Sequence, residues 1–157
     1  MAFKRFRGKT KLMYFKGDTA VQVRDGSLVR LNDSASIDIA SNDSTNDFIL
    51  GVARRNDTTT DSALVPVEVP VENAVEWLIN TDTDGGALDS DVGRLVTVDT
   101  AGGTIAGDSC GLNLDVSDSS AAAGPAGCVV ITGIVSATQV IGVIAHSVWH
   151  QTYDTAA

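Results

Sequence analysis

Lysine is absent after Lys16, glutamate occurs three times, cysteine twice and proline three times, and only eight residues are aromatic. Each shortage closes off a class. Two cysteines are too few for the disulfide framework that staples small secreted domains. Cys110 and Cys128 are expected as buried thiols, with pairing left open if their strands are adjacent. Scarce aromatics leave the core to aliphatic side chains. No ten consecutive residues sustain a 3.6-residue apolar period, so long helices are not expected. The charged start is followed by no apolar stretch of roughly 7–15 residues, so a secretion signal is not expected either.

Catalytic signatures are missing as well. The chain has no G-x-S-x-G elbow, no P-loop and no dinucleotide glycine motif after a strand, and no enzyme is expected. His146 and His150 stand four apart, but HSVWH lacks the glutamate of the zinc-protease signature and a third ligand nearby. No metal site and no cofactor are therefore predicted. Trp77 and Trp149 are expected as buried anchors rather than stacking platforms.

Cys128–Ala145 (CVVITGIVSATQVIGVIA) is the one long uncharged run, and its length matches a membrane span. Gly133 and Gly142 interrupt it, and Ser136, Thr138 and Gln139 sit at its centre. Two strands around a turn explain this better, so no membrane association is expected.

What is present is strand-like. The 157 residues suffice for one domain, and 43 % hydrophobic with 20 % charged residues is ordinary for a folded chain. The acids are 17 Asp and 3 Glu, and Asp favours turns over helix interiors. AVQVR-DG-SLVRL predicts a hairpin, with Leu12–Phe15 before it and short strands at Ser36–Ala40 and Phe48–Arg54 after it. Val65, Val67, Val69 and Val71 alternate with Pro66, Glu68, Pro70 and Glu72. The two prolines predict a sheet edge or a face against a partner. Ala74–Asn80, Arg94–Asp99 and Leu112–Val116 supply further strands, and Ser90–Gly93 a single helical turn. The fold expected is all-β, a single small barrel or sandwich of short antiparallel strands with an extended N-terminal arm.

That arm is defined by charge. Residues 1–17 carry six of the eleven positive charges, while residues 18–157 carry five against twenty acids, a net −15. The acidic body should repel nucleic acid and anionic membranes. The boundary predicted is therefore a basic aromatic arm over 1–17 and a β-rich domain over 18–157. Lys4, Arg5, Arg7, Lys9 and Lys11 are the candidate charge contacts, with Phe3, Phe6, Tyr14 and Phe15 as apolar anchors for a partner. Basic arms also bind phosphates, which makes nucleic acid the alternative, less favoured partner. Asp82, Asp84, Asp89 and Asp91 in TDTDGGALDSD are a candidate calcium cluster, with a solvated loop as the plainer reading because the EF-hand pattern does not fit.

With these segments in place, GDTAVQVRDGSLVRL, FILGVA, DVGRLVTVD and VVITGIVSATQVIGVI together resemble the small head decoration, or capsid cement, proteins of tailed phages. The resemblance covers about two-thirds of the chain and carries no catalytic motif. It implies a β-rich virion protein on the outer capsid surface, made in the host cytoplasm. Such a protein bridges neighbouring major capsid protein subunits and often assembles as a homotrimer.

Overall fold

The computed structural model describes residues 3–18, 22–31, 36–39, 49–58, 63–72, 75–81, 86–99, 113–115 and 129–145. In chain order the strands are β1 (Phe3–Arg7), β2 (Thr10–Lys16), β3 (Gln22–Val23), β4 (Leu28–Leu31), β5 (Ile37–Ile39), β6 (Ile49–Ala53) and β7 (Asp57–Thr58). They continue with β8 (Leu64–Pro70), β9 (Glu76–Asn80), β10 (Leu95–Asp99), β11 (Asn113–Asp115), β12 (Val129–Ser136) and β13 (Gln139–Ile144), with one 3-10 turn at Asp89–Asp91. A six-stranded sheet has the order β1-β9-β13-β12-β10-β11, and a five-stranded sheet the order β2-β8-β6-β4-β5. A short β3–β7 ribbon completes the set. All strand pairs in these sheets are antiparallel.

The architecture is a sandwich, with apolar side chains on both faces of the five-stranded sheet. Leu28, Ile49 and Val52 meet Phe3, Trp77, Ile79, Val129, Ile131 and Val140 of the six-stranded sheet in one core. Val29, Leu50, Ala53, Val65, Val67 and Val69 form a second core on the other face, with Met13, Phe15 and Leu31 packed against it. β6 lies between the two cores, which is why ILGVA is buried at every position and reads as an unbroken apolar run. Among the described residues a single bridge, Gly17 to Ile37, brings the two edges of the five-stranded sheet together, and no ladder closes them. The barrel alternative is not realised.

β6 and β8 approach so closely that only glycine fits at residue 51. A Cβ built there would lie 2.4 Å from the Glu68 carbonyl oxygen and 3.0 Å from Val67 Cγ1. Gly51→Ala is expected to cost about 1–3 kcal/mol through forced backbone displacement. Urea unfolding measures it, and an unchanged midpoint would show that the ladder yields without strain.

Three sequence expectations need correction. The first is the extended arm: residues 3–16 are β1 and β2, an edge strand of each sheet, joined through Gly8 at φ +104°. They pair with β9 and β8 and are part of the body. The second is the Asp25-Gly26 hairpin. The turn exists, with the Ser27 N–H donating to the Arg24 carbonyl at 2.9 Å and Gly26 at φ +90°. Its flanking strands diverge, however: β3 pairs with β7, while β4 pairs with β5 and β6.

The third is the edge position of β8, which lies between β2 and β6. Strand alternation resolves the conflict with its prolines. The Pro66 carbonyl accepts from the Arg54 N–H, so even-numbered residues of β8 turn their backbone toward β6. Pro66 and Pro70 both lack their donor on that side, where register extends over only Val52–Glu68 and Ala53–Val67. Odd-numbered residues face β2, and that ladder runs unbroken through seven pairs.

The valine alternation, the closing strand pair and the burial of Trp77 hold. Val65, Val67 and Val69 are buried on one face, and β12 and β13 form the expected pair around Ala137-Thr138. Trp77 is fully buried. Among the described residues no helix is long and apolar enough to cross a membrane. Cys110, Cys128, His146, Trp149 and His150 lie outside the described residues.

Candidate functional site

β1 and β2 concentrate the chain's positive charge, and the structure sorts that charge into two groups. One group is tied inward by the only three glutamates in the sequence, Glu68, Glu72 and Glu76, spaced four apart. The Arg5 Nη1 donates to Thr10 Oγ1 at 2.7 Å, and Arg5 Nε stands 3.5 Å from Glu68 Oε1. Thr10 Oγ1 donates to the same Glu68 oxygen at 2.6 Å. The Arg7 guanidinium meets Glu76 at 2.9 Å across the β1–β9 ladder, and the Lys9 backbone N–H donates to Glu72 at 2.7 Å. Each glutamate thus fastens a different point of the leader.

Arg54 completes this corner. Its Nε donates to Glu68 Oε2 at 2.6 Å, and its Nη1 donates to the Phe3 carbonyl at 3.1 Å and to Asp25 Oδ1 at 3.4 Å. The guanidinium lies over the Trp77 ring, 5.8 Å from its centroid. Burial alone would push the Glu68 carboxyl up. The hydrogen bonds from Thr10 and Arg54, with the charges of Arg54 and Arg5, outweigh it and hold the carboxyl below its ordinary value of 4.5.

A lowered folded-state pKa makes the sign definite. The ionised corner stabilises the fold fully above the unfolded value near 4.5, and this stabilisation is lost as pH falls through the lower folded value. Acid titration of the melting temperature should therefore show a steeper fall below pH 4.5 in the wild type than in Glu68→Gln. Parallel curves would remove Glu68 from the account.

The second group faces outward. Lys4, Lys9, Lys11 and Lys16, the only lysines in the chain, all carry exposed side chains. Beside them Phe6 is 56 % exposed, Leu12 50 % and Tyr14 62 %, and Leu64 of the neighbouring β8 is 56 % exposed. Register sets Leu12 opposite Glu68, Tyr14 opposite Pro66 and Lys16 opposite Leu64. Period-two alternation therefore puts Leu12, Tyr14 and Leu64 on one face, away from the core that Met13 and Phe15 cover.

The nine sequence candidates divide accordingly. Phe3 is fully buried beside Ile79 and cannot be an external anchor; this is a correction, because one buried ring here closes the core. Phe15 packs against the second core. Arg5 and Arg7 are engaged with Glu68 and Glu76 but stay exposed, Arg7 by 75 %. Lys4, Phe6, Lys9, Lys11 and Tyr14 remain on the surface. Sequence reasoning missed Leu12 and Leu64, although the alternation T-K-L-M-Y-F-K carried the signal for Leu12.

The acidic loop behaves differently. Asp91 is buried, with its carboxylate accepting from the Leu88 N–H at 2.8 Å and meeting Arg94 at 3.1 Å. It caps the 3-10 turn. Asp89 is exposed, and Asp82 and Asp84 lie outside the described residues. Among the described residues no three His, Cys, Asp or Glu side chains gather into a metal-binding group.

Comparison with known proteins finds no matching family model, no matching curated protein and no matching solved structure.

Proposed function

We propose that this protein is a virion structural protein that decorates a capsid and stabilises it by bridging major capsid protein subunits. The observation that carries the reading is the basic, apolar edge. All four lysines lie on or between β1 and β2, an edge strand of each sheet, together with exposed Phe6, Leu12 and Tyr14, in a chain whose net charge is −9. Such an edge suits an acidic partner surface, with rings and Leu12 as buried contacts and lysines steering the approach. Many copies, each adding a modest interface across a subunit seam, would together oppose separation of the shell under internal pressure. A trimeric assembly on the outer surface fits this reading and the sequence resemblance.

Co-sedimentation with emptied shells of the parent particle is the test. The Lys4→Glu/Lys11→Glu double variant leaves Phe3, Arg5 and the glutamate contacts in place, so its fold should persist. Its affinity for shells should fall by about tenfold or more. Binding at wild-type strength would overturn the assignment of this edge.

The competing partner is nucleic acid, which the exposed lysines with Phe6 and Tyr14 rings could also meet by phosphate contact and base stacking. It predicts a gel shift of single-stranded DNA or RNA at low salt that fades steeply as salt rises. The capsid reading predicts no such shift.

A further inference from the structure

β2 is the outer strand of its sheet, and its two sides are unequal. The Lys9 carbonyl accepts from the Val71 N–H at 3.1 Å, and the Gly17 N–H donates to the Ala63 carbonyl at 2.9 Å. Residues 9 and 17 are both odd-numbered, so the odd-numbered residues of β2 direct their backbone toward β8. The even-numbered residues Leu12 and Tyr14 direct theirs outward, where no strand among the described residues pairs with them. This open edge ends where the chain bridges to Ile37 at Gly17.

An open edge with apolar side chains is an invitation to strand addition, and proteins usually blunt such edges with lysine. The lysines here decide which occupant the edge accepts. A second copy would crowd Lys9, Lys11 and Lys16 of both strands into one seam, six positive charges with no acidic partner on either strand, which like-charge repulsion disfavours. An acidic strand meets no such penalty. Lys9 and Lys11 open the odd-numbered face, ahead of Met13 and Phe15, while Leu12 and Tyr14, with Leu64 beyond, share the even-numbered one, which Lys16 closes. A strand laid along β2 would therefore find positive charge at Lys9 and Lys11 on one face, and on the other the exposed apolar surface of Leu12 and Tyr14 with Lys16 at its end.

We infer that the free edge of β2 accepts an extended partner segment whose residues alternate acidic and apolar, joining the sheet as an added strand. The inference rests on reading this edge as partner-facing, but not on the partner being a capsid. Backbone bonds to Leu12 and Tyr14 supply affinity, and the alternation supplies specificity.

The probe is a nine-residue peptide of alternating glutamate and valine, titrated into the full-length protein and read by fluorescence anisotropy. Antiparallel addition with the valines over Leu12 and Tyr14 points the valine N–H groups at β2. Methylating the valine nitrogens should weaken binding by about tenfold or more, and methylating the glutamate nitrogens should leave it nearly unchanged. Amide hydrogen exchange should slow at Leu12 and Tyr14 when the unmodified peptide binds.

Equal binding of the two methylated peptides would overturn strand addition, as would no binding at all. Binding of an oligothymidylate in place of the peptide would assign the edge to nucleic acid instead. Dimerisation that protects the Leu12 and Tyr14 amides without peptide would assign it to a second copy. Peptide binding without shell binding leaves this inference standing and removes the capsid reading. Shell binding that leaves the Leu12 and Tyr14 amides unprotected does the reverse.

Discussion

Deleting residues 2–16 is expected to abolish cooperative folding, not to release an intact body. The deletion strips an edge strand from each sheet and removes Phe3 from one core. Met13 and Phe15 are lost from the other core. It also leaves Glu68 without Arg5 and Thr10, and Glu76 without Arg7. Phe3→Ala alone should cost about 3–5 kcal/mol, because the ring is fully buried and its cavity is walled by two sheets. The full truncation exceeds the total stability of an ordinary domain of this size once two ladders are added to that loss. Thermal melting followed by circular dichroism decides the matter. A cooperative transition near the wild-type temperature would mean that residues 2–16 are dispensable, as they would be for a tether.

The second large effect is expected at Arg54. Arg54→Leu keeps much of the apolar stem but leaves the Glu68 carboxylate with fewer partners in a partly buried place, and deprives the Phe3 carbonyl of a donor. Removing one member of a fully buried ion pair costs about 3–5 kcal/mol. The side chains here retain 18 % and 14 % exposure, so solvent screening reduces the expected loss to about 2–3 kcal/mol. The Arg54→Leu/Glu68→Leu double variant should recover part of that loss, since the orphaned carboxylate at residue 68 is gone and the charges left behind, Arg5 and Asp25, reach solvent. Denaturant unfolding of the two singles and the double closes the cycle, and simple additivity would contradict a coupled corner.

How far the sequence foretold this molecule depends on the distance over which each signal acts. The valine alternation of β8 and the apolar run of β6 are local, and both elements were legible. So was the Cys128–Ala145 pair, because its glycines and central polar residues mark two strands with a turn. The leader was not. Its basic residues look like a solvated arm when read with their neighbours, since Glu68, Glu72 and Glu76 enter some sixty residues later. The Asp25-Gly26 signal specified a turn but could not specify which strands the chain joins after turning. The prolines of β8 pointed to an edge because one missing donor is visible in sequence, whereas the side on which it falls depends on register. The exposed half of the candidate site was legible as an unusual density of lysine and rings. Its division into inward and outward residues required the pairing of β1 and β2.

Amide hydrogen exchange across β2 in the free protein tests the central claim most directly, residue by residue. Lys11, Met13 and Phe15 should exchange slowly, with protection comparable to the neighbouring β8 amides, and Leu12 and Tyr14 should exchange fast. Uniformly fast exchange from Lys11 to Phe15 would contradict a leader built into the sheet, and uniformly slow exchange would contradict an open edge.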